Sequence, residues 1–192
     1  MWPVPGLVHI IAATFRADAP ADDVELATSR ARDLRGAPGV IEVLIGRSEE
    51  RLVVATWLPG RGALDEFAAS SAHMAFIMQG LAPVIRGIWS AAVETDTLPP
   101  SMPPTTLWAF AVPEHDGVYE WQVRQLLEQI DALPGVAATG QTVEERERFR
   151  AGGVVTLTAA DADFNARLDA ARGGWTEVVG VIEEALVSVL TE

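Results

Sequence analysis

An α+β chain of two tandem ferredoxin-like βαββαβ units, packed sheet to sheet as a pseudo-twofold α/β barrel, is the fold this sequence predicts. Three observations predict it. Four prolines fall within residues 99–104, near the midpoint of a 192-residue chain, and such a run suits neither a helix interior nor a central strand. The same order of strand and helix patterns occurs on both sides of it. The segment Pro38-Gly39-Val40, which ends the first helical pattern, recurs 96 residues later as Pro134-Gly135-Val136.

In the first half, Leu7 to Arg16 reads as a strand. Pro20 to Arg35 reads as a helix, with Val24, Ala27, Ala31 and Leu34 on one face and a stop at Gly36 and Pro38. Val40 to Gly46 and Leu52 to Leu58 form a hairpin around Arg47-Ser48-Glu49-Glu50. Gly62 to about Gly80 is a second helix, striped by Leu64, Phe67, Ser71, Ala75 and Met78, and Trp89 to Glu94 alternates as the last strand.

The second half repeats the order. Leu107 to Val112 is a strand, and Val118 to Leu133 is a helix carrying Val123, Leu126, Leu127, Ile130 and Leu133 on its apolar face. Val136 to Val143 and Gly153 to Thr158 pair around the charged segment 144–148. Asp161 to Ala171 starts a helix that Gly173-Gly174 interrupts and Trp175 to Ala185 resumes, and Leu186 to Leu190 is a short final strand. The predicted division is 1–96 for the first unit, taken as the active half, 97–105 for a linker, and 106–192 for a degenerate, structural second unit.

A single βαββαβ unit leaves one sheet face bare. Two in one chain can cover each other and enclose a cavity between the sheets. Alternation sorts Val8, Ile10 and Ala12 from His9, Ile11, Ala13 and Phe15, and sets Trp108, Phe110 and Val112 on one face, without telling which set faces inward.

Composition removes several function classes. A net charge of -13, from 27 acidic and 14 basic residues, argues against a face that neutralises nucleic-acid phosphates. With no cysteine in the sequence, disulfides, thiolate nucleophiles and cysteine-ligated metals are out. The three histidines, His9, His73 and His115, fall in different elements without metal-ligand spacing, so no metal site is expected. No nucleotide-binding glycine pattern or nucleophile elbow occurs. The absence of a signal-like or membrane-length apolar run leads to a cytoplasmic protein with no membrane partner as the expectation.

The strand Val8 to Phe15, the turn Pro38-Gly39-Val40, the strand Val53-Val54-Ala55-Thr56-Trp57 and the helix from Ala63 to Phe76 with its Ala72-His73 together resemble the antibiotic biosynthesis monooxygenase family of dimeric α/β barrels. The resemblance covers residues 6–96 directly and 106–191 by element order. It implies a small-molecule enzyme that oxidises a phenolic, polyketide-like aromatic with dioxygen and without a cofactor. It also implies a monomer with an internal pseudo-dimer, or a homodimer of such chains. Alternatives within the same barrel are a polyketide cyclase or isomerase, a non-catalytic small-molecule-binding or stress-responsive protein, and a haem degrader. Trp57 falls where the anthrone oxygenases keep a cavity tryptophan, but their asparagine four residues earlier is Val53 here. The haem degraders' asparagine on strand one is missing, and Phe67 stands in place of their helix-two tryptophan.

The candidate catalytic groups are His73 and His9, since an imidazole near neutral pKa is a natural general base for a phenolic or C–H proton. Trp57, Phe15, Phe76 and Trp108 are candidate aromatic lining, and Arg86 could hold a developing enolate or a carboxylate. Each has an ordinary structural alternative: core packing for the aromatics, a surface position for Arg86, and a backbone-bonded or solvated imidazole for the histidines. His115, beside Glu114 and Asp116, reads as a solvated loop residue.

Overall fold

The computed structural model describes residues 6–114, 117–143, 148–157, 163–179 and 182–191. His115 and most of the charged hairpin tip lie outside them. The first half contains β1 (Gly6–Phe15), α1 (Ala21–Asp33), β2 (Glu42–Arg47), β3 (Arg51–Leu58), α2 (Arg61–Ala68), α3 (Ser71–Ala75) and β4 (Ile85–Thr95). The second contains β5 (Thr106–Pro113), α4 (Glu120–Asp131), β6 (Val136–Gln141), β7 (Phe149–Leu157), α5 (Phe164–Val179) and β8 (Glu183–Val189).

All strands join one antiparallel sheet in the order β4-β1-β3-β2-β8-β5-β7-β6. Each half has the same internal order, its first strand flanked by its third and fourth. The halves meet at two seams that are themselves related by the repeat. At one, β2 pairs with β8 through Gly46↔Val189 and Arg47↔Ser188. At the other, Val93 of β4 bridges Thr142 after β6, and the Val143 amide donates to the Ala92 carbonyl at 3.0 Å. The sheet is thus a nearly closed barrel, and closure satisfies edges that would otherwise template aggregation. A glycine marks each seam: a Cβ on Gly46 would strike the Val187 side chain, and one on Gly140 would strike the Glu94 carbonyl. The paired Pro-Gly-Val turns also correspond, since Gly39 and Gly135 both take positive φ, 73° and 123°, where a side chain would be strained.

The alternation of β1 is resolved by burial partners. Val8, Ile10 and Ala12 turn inward with Val53, Ala55, Trp57 and Val93 of the first half, and pack against Leu107, Ala109, Ala138, Val154, Ala185 and Val187 of the second. Apart from Trp57 these are small or branched residues, and all are at most 4% exposed, so the expected cavity between the sheets is instead a shared packed core. The opposite faces carry the helices. Leu7, Ile11 and Phe15 pack beneath α1 and α2 with Leu34, Phe67 and Phe76, while Trp108, Phe110 and Val112 pack beneath α4 and α5 with Leu126, Ile130, Leu168 and Trp175.

Helix α1 begins after Pro20, carries Asp22 and Asp23 in its first turn and Arg30 and Arg32 in its last, and so complements its dipole at both ends. The second helical segment of the first half departs from the expected single helix. It breaks after Ala68, restarts at Ser71 with Ser70 as N-cap, and widens over Phe76–Leu81 into a π-type turn closed by the Ala82 amide on the Ile77 carbonyl. In the second half α5 runs through Gly173-Gly174 unbroken and ends earlier than expected, and β8 starts at Glu183, not Leu186. Two glycines weaken a helix by about 2 kcal/mol at most, a penalty that burial of Leu168 and Trp175 can offset.

Candidate functional site

On β1, His9 lies opposite Thr56 of β3 and Ala92 of β4. These are small neighbours, and being on the helix-facing side the imidazole is free to rise between them toward α2 and α3. The helix break brings the second histidine to it. Ser70 accepts the His73 amide at 3.2 Å, starting α3 one turn before His73, and the His73 ring then lies 6.0 Å from the His9 ring, centre to centre. Phe67 of α2 flanks both, 4.9 Å from His73 and 5.8 Å from His9.

The hydrogen bonding of this cluster is incomplete. His73 Nδ1 lies 3.1 Å from the Ala68 carbonyl. A carbonyl can only accept, so the proton sits on Nδ1 and the Nε2 lone pair is left free. His73 Nε2 and His9 Nδ1 are both covered by protein atoms and have no partner. Unpaired buried nitrogens typically cost about 1–3 kcal/mol each and are uncommon in folded proteins unless something else fills the role. Burial together with the neighbouring His73 lowers the His9 pKa to about 4. Burial also lowers that of His73, opposed by its bond to Ala68. Both imidazoles are therefore neutral at pH 7 and able to accept a proton or a metal ion. Both rings are half-buried, not sealed.

The repeat supplies an internal control. Counting register from the seam glycines, Gly46↔Val53↔Ala12 in one half corresponds to Gly140↔Gly152↔Ala111 in the other, which places Trp108 where His9 stands. Trp175 of α5 stacks on Trp108 at 5.3 Å, and Phe110 also stacks on it at 4.9 Å. Trp108 and Trp175 are at most 1% exposed. The Trp108 indole donates to Glu184 at 2.9 Å, and Arg172 grips the same carboxylate oxygen through Nε and Nη2. One helix–sheet layer therefore holds two half-buried imidazoles with unpaired nitrogens, and its counterpart is filled by indoles.

The remaining sequence candidates scatter. Trp57 lies in the shared core between the sheets, on the opposite face of the sheet from the histidines, with its indole donating to the Thr97 carbonyl at 3.2 Å; its counterpart by register is Thr156. Phe76 is fully buried in the same helix–sheet core as Phe67. Phe15 is six residues beyond His9, about 20 Å along the strand. With Arg86, Arg16, Val24, Glu49 and Glu50 it lines a separate surface pocket of about 320 Å³. Trp108 belongs to the filled second half. The structure thus brings His9 and His73 together and separates them from Trp57, Arg86 and Trp108. The sequence did not mark Phe67 as the aromatic beside both histidines or Ala68 as the group that sets the His73 tautomer, although the stripe containing Phe67 was legible. It also missed a wider pocket of about 500 Å³ astride the β2–β8 seam, lined by Ser48, Glu49, Glu50, Arg51, Arg172, Glu184 and Leu186.

Among the described residues no group of three or more metal-ligating side chains converges, and no helix is long and apolar enough to cross a membrane.

No family model and no curated protein matches the chain. Solved structures do. An anthrone oxidase-like protein superposes with TM-score 0.65 at 13% identity, over 97% of this chain and 92% of that one. A candidate monooxygenase from Fusobacterium nucleatum gives 0.61 at 12% identity over 100% and 94%. Another from Lactobacillus acidophilus gives 0.54 at 10% identity over 97% and 93%. Likeness at these identities is likeness of fold, and what this chain shares with all three along nearly its whole length is the doubled ferredoxin-like barrel.

Proposed function

We propose that the protein is a cofactor-independent monooxygenase-like enzyme whose single site lies between β1 and α2–α3 of the first half, acting on a phenolic or similarly acidified aromatic molecule. One observation carries this reading: a neutral His73, its tautomer set by the Ala68 carbonyl, offers an unpartnered Nε2 beside a second unpartnered imidazole, while the symmetry-related place is filled. The names borne by the three full-length structural neighbours agree with it.

The chemistry asked of these residues is modest. His73 Nε2 removes a proton from the bound aromatic, and His9 hydrogen-bonds the oxygen on which negative charge collects. The carbanion adds to dioxygen, the proton returns to the peroxide, and loss of water from the hydroperoxide leaves a ketone or quinone carbonyl. One oxygen atom enters the product and the other leaves as water, the electrons coming from the substrate. A positioned base contributes about 10²–10⁴ in rate, and the apolar ring of Phe67 beside both histidines helps to exclude competing water. Entry requires α3 to shift. A five-residue helix running into a π-type turn is suited to that.

Haem does not fit this cluster. Phe67 packs 4.9 Å from the His73 ring, where a macrocycle would need an open slot.

The test is oxygen uptake with an anthrone-like tricyclic phenol. Wild type should consume one dioxygen per product, and His73→Ala should lower the rate at least a hundredfold. Product without oxygen consumption would make the protein a cyclase or isomerase, and full activity in His73→Ala, His9→Ala and the double variant would remove both bases.

A further inference from the structure

We propose that His9 and His73 also form a two-coordinate site for a soft monovalent transition-metal ion, Cu(I) in chemical class, bound between His9 Nδ1 and His73 Nε2. The site goes beyond the proposed catalysis and does not depend on it. Both nitrogens are covered and without partners. A metal-bound imidazole nitrogen stands about 2 Å from its ion, which puts the ion roughly 3 Å from the ring centre. Two rings on one ion are then about 5 Å apart at a tetrahedral angle and a little over 6 Å apart when linear. The observed 6.0 Å falls within the span that one ion can bridge. His73 also has the outer-shell bond of a metal-ligating histidine, its other nitrogen donating to a backbone carbonyl.

The surroundings choose the ion. Zinc fills four positions, and among the described residues no third His, Cys, Asp or Glu joins the pair. The covered nitrogens leave little room for the waters that could complete its shell. A single charge is also less costly than a double one to bury beside Phe67, and imidazole is a competent copper ligand. No cysteine exists elsewhere in the chain to compete. An ion seated here would occupy the proposed catalytic base, so the same pair of side chains would make the enzyme copper-sensitive.

The experiment uses the full chain labelled with ¹⁵N-histidine and titrated with Ag(I), the redox-inert probe, then with Cu(I) under anaerobic reduction. The expected result is one equivalent bound, with the ring nitrogens of His9 and His73 shifting together and those of His115 unmoved. Binding should weaken at least tenfold in both His9→Gln and His73→Gln, and Zn(II) should bind at least tenfold more weakly than Ag(I). The wild-type titration stands even if a variant fails to fold. Shifts confined to His115, no saturable binding, or tighter binding of Zn(II) than of Ag(I) would each overturn the proposal. None of these outcomes bears on oxygen uptake by the metal-free protein.

Discussion

At the scale of single residues, the energetics of His9 are unusual enough to read by titration. Its folded pKa, about 4, lies below the ordinary 6.5 because burial and His73 disfavour the cation. Between those values the unfolded chain binds a proton that the folded chain refuses, so the His9 contribution to stability is present above about pH 6.5 and lost as pH falls toward 4. Denaturant melts at pH 7.5 and pH 5 should therefore show a larger acid loss in wild type than in His9→Gln, and equal losses would show that His9 does not carry it. In the opposite layer, Trp175→Ala should cost about 3–5 kcal/mol, the range for emptying a buried aromatic site, because it strips the stack from Trp108. A loss under 1 kcal/mol in a thermal or urea melt would mean that the layer is not packed as described. The two histidines were legible in the sequence as candidates, but their meeting was not. It depends on where α3 restarts after Ser70, a local cap that the apolar stripe of a continuous helix conceals.

At the scale of elements, glycines with different surroundings make opposite predictions. Gly140 faces the Glu94 backbone carbonyl at the β4–β6 seam, and backbone cannot give way as a flexible side chain can. Gly140→Ala should therefore destabilise by about 1–3 kcal/mol, as overpacking does, with amide exchange of β4 and β6 accelerated first. Gly173, inside α5, has open space where its Cβ would go, so Gly173→Ala should stabilise by about 0.5–1 kcal/mol through helix propensity alone. A neutral or stabilising Gly140→Ala would mean that the seam is not a close contact. The element order and both Pro-Gly-Val turns were readable from the sequence because periodicity and turn chemistry are local. The course of α5 was not, since its glycines read as a break and only tertiary burial of Leu168 and Trp175 decides otherwise.

At the scale of the molecule, the doubled unit was legible from the repeat, and the sheet face on which the paired histidines lie was not. Alternation along β1 separates two sets of residues without saying which faces the partner sheet, and so leaves open whether Trp57 and the histidines share a face. The sheet–sheet space is filled by Val8, Ile10, Leu107, Val154 and their neighbours from both halves, a surface neither half can leave in water. Residues 1–96 expressed alone should therefore self-associate through that face or fail to fold. A stable, folded monomer by sedimentation and circular dichroism would contradict the shared core. The same filling is why the proposed site lies on the helix side of the first half.

Ligand mapping tests the proposed location of the site. When ¹⁵N-labelled protein is titrated with a hydroxylated tricyclic aromatic, saturable shifts are expected at the ring nitrogens of His9 and His73 and at the amides of Phe67 and Ser70, with the Trp57 and Trp108 indoles unchanged. Saturable shifts at the Trp57 indole and the amides of Leu107 and Val154, with both histidines silent, would place the ligand between the sheets and contradict it.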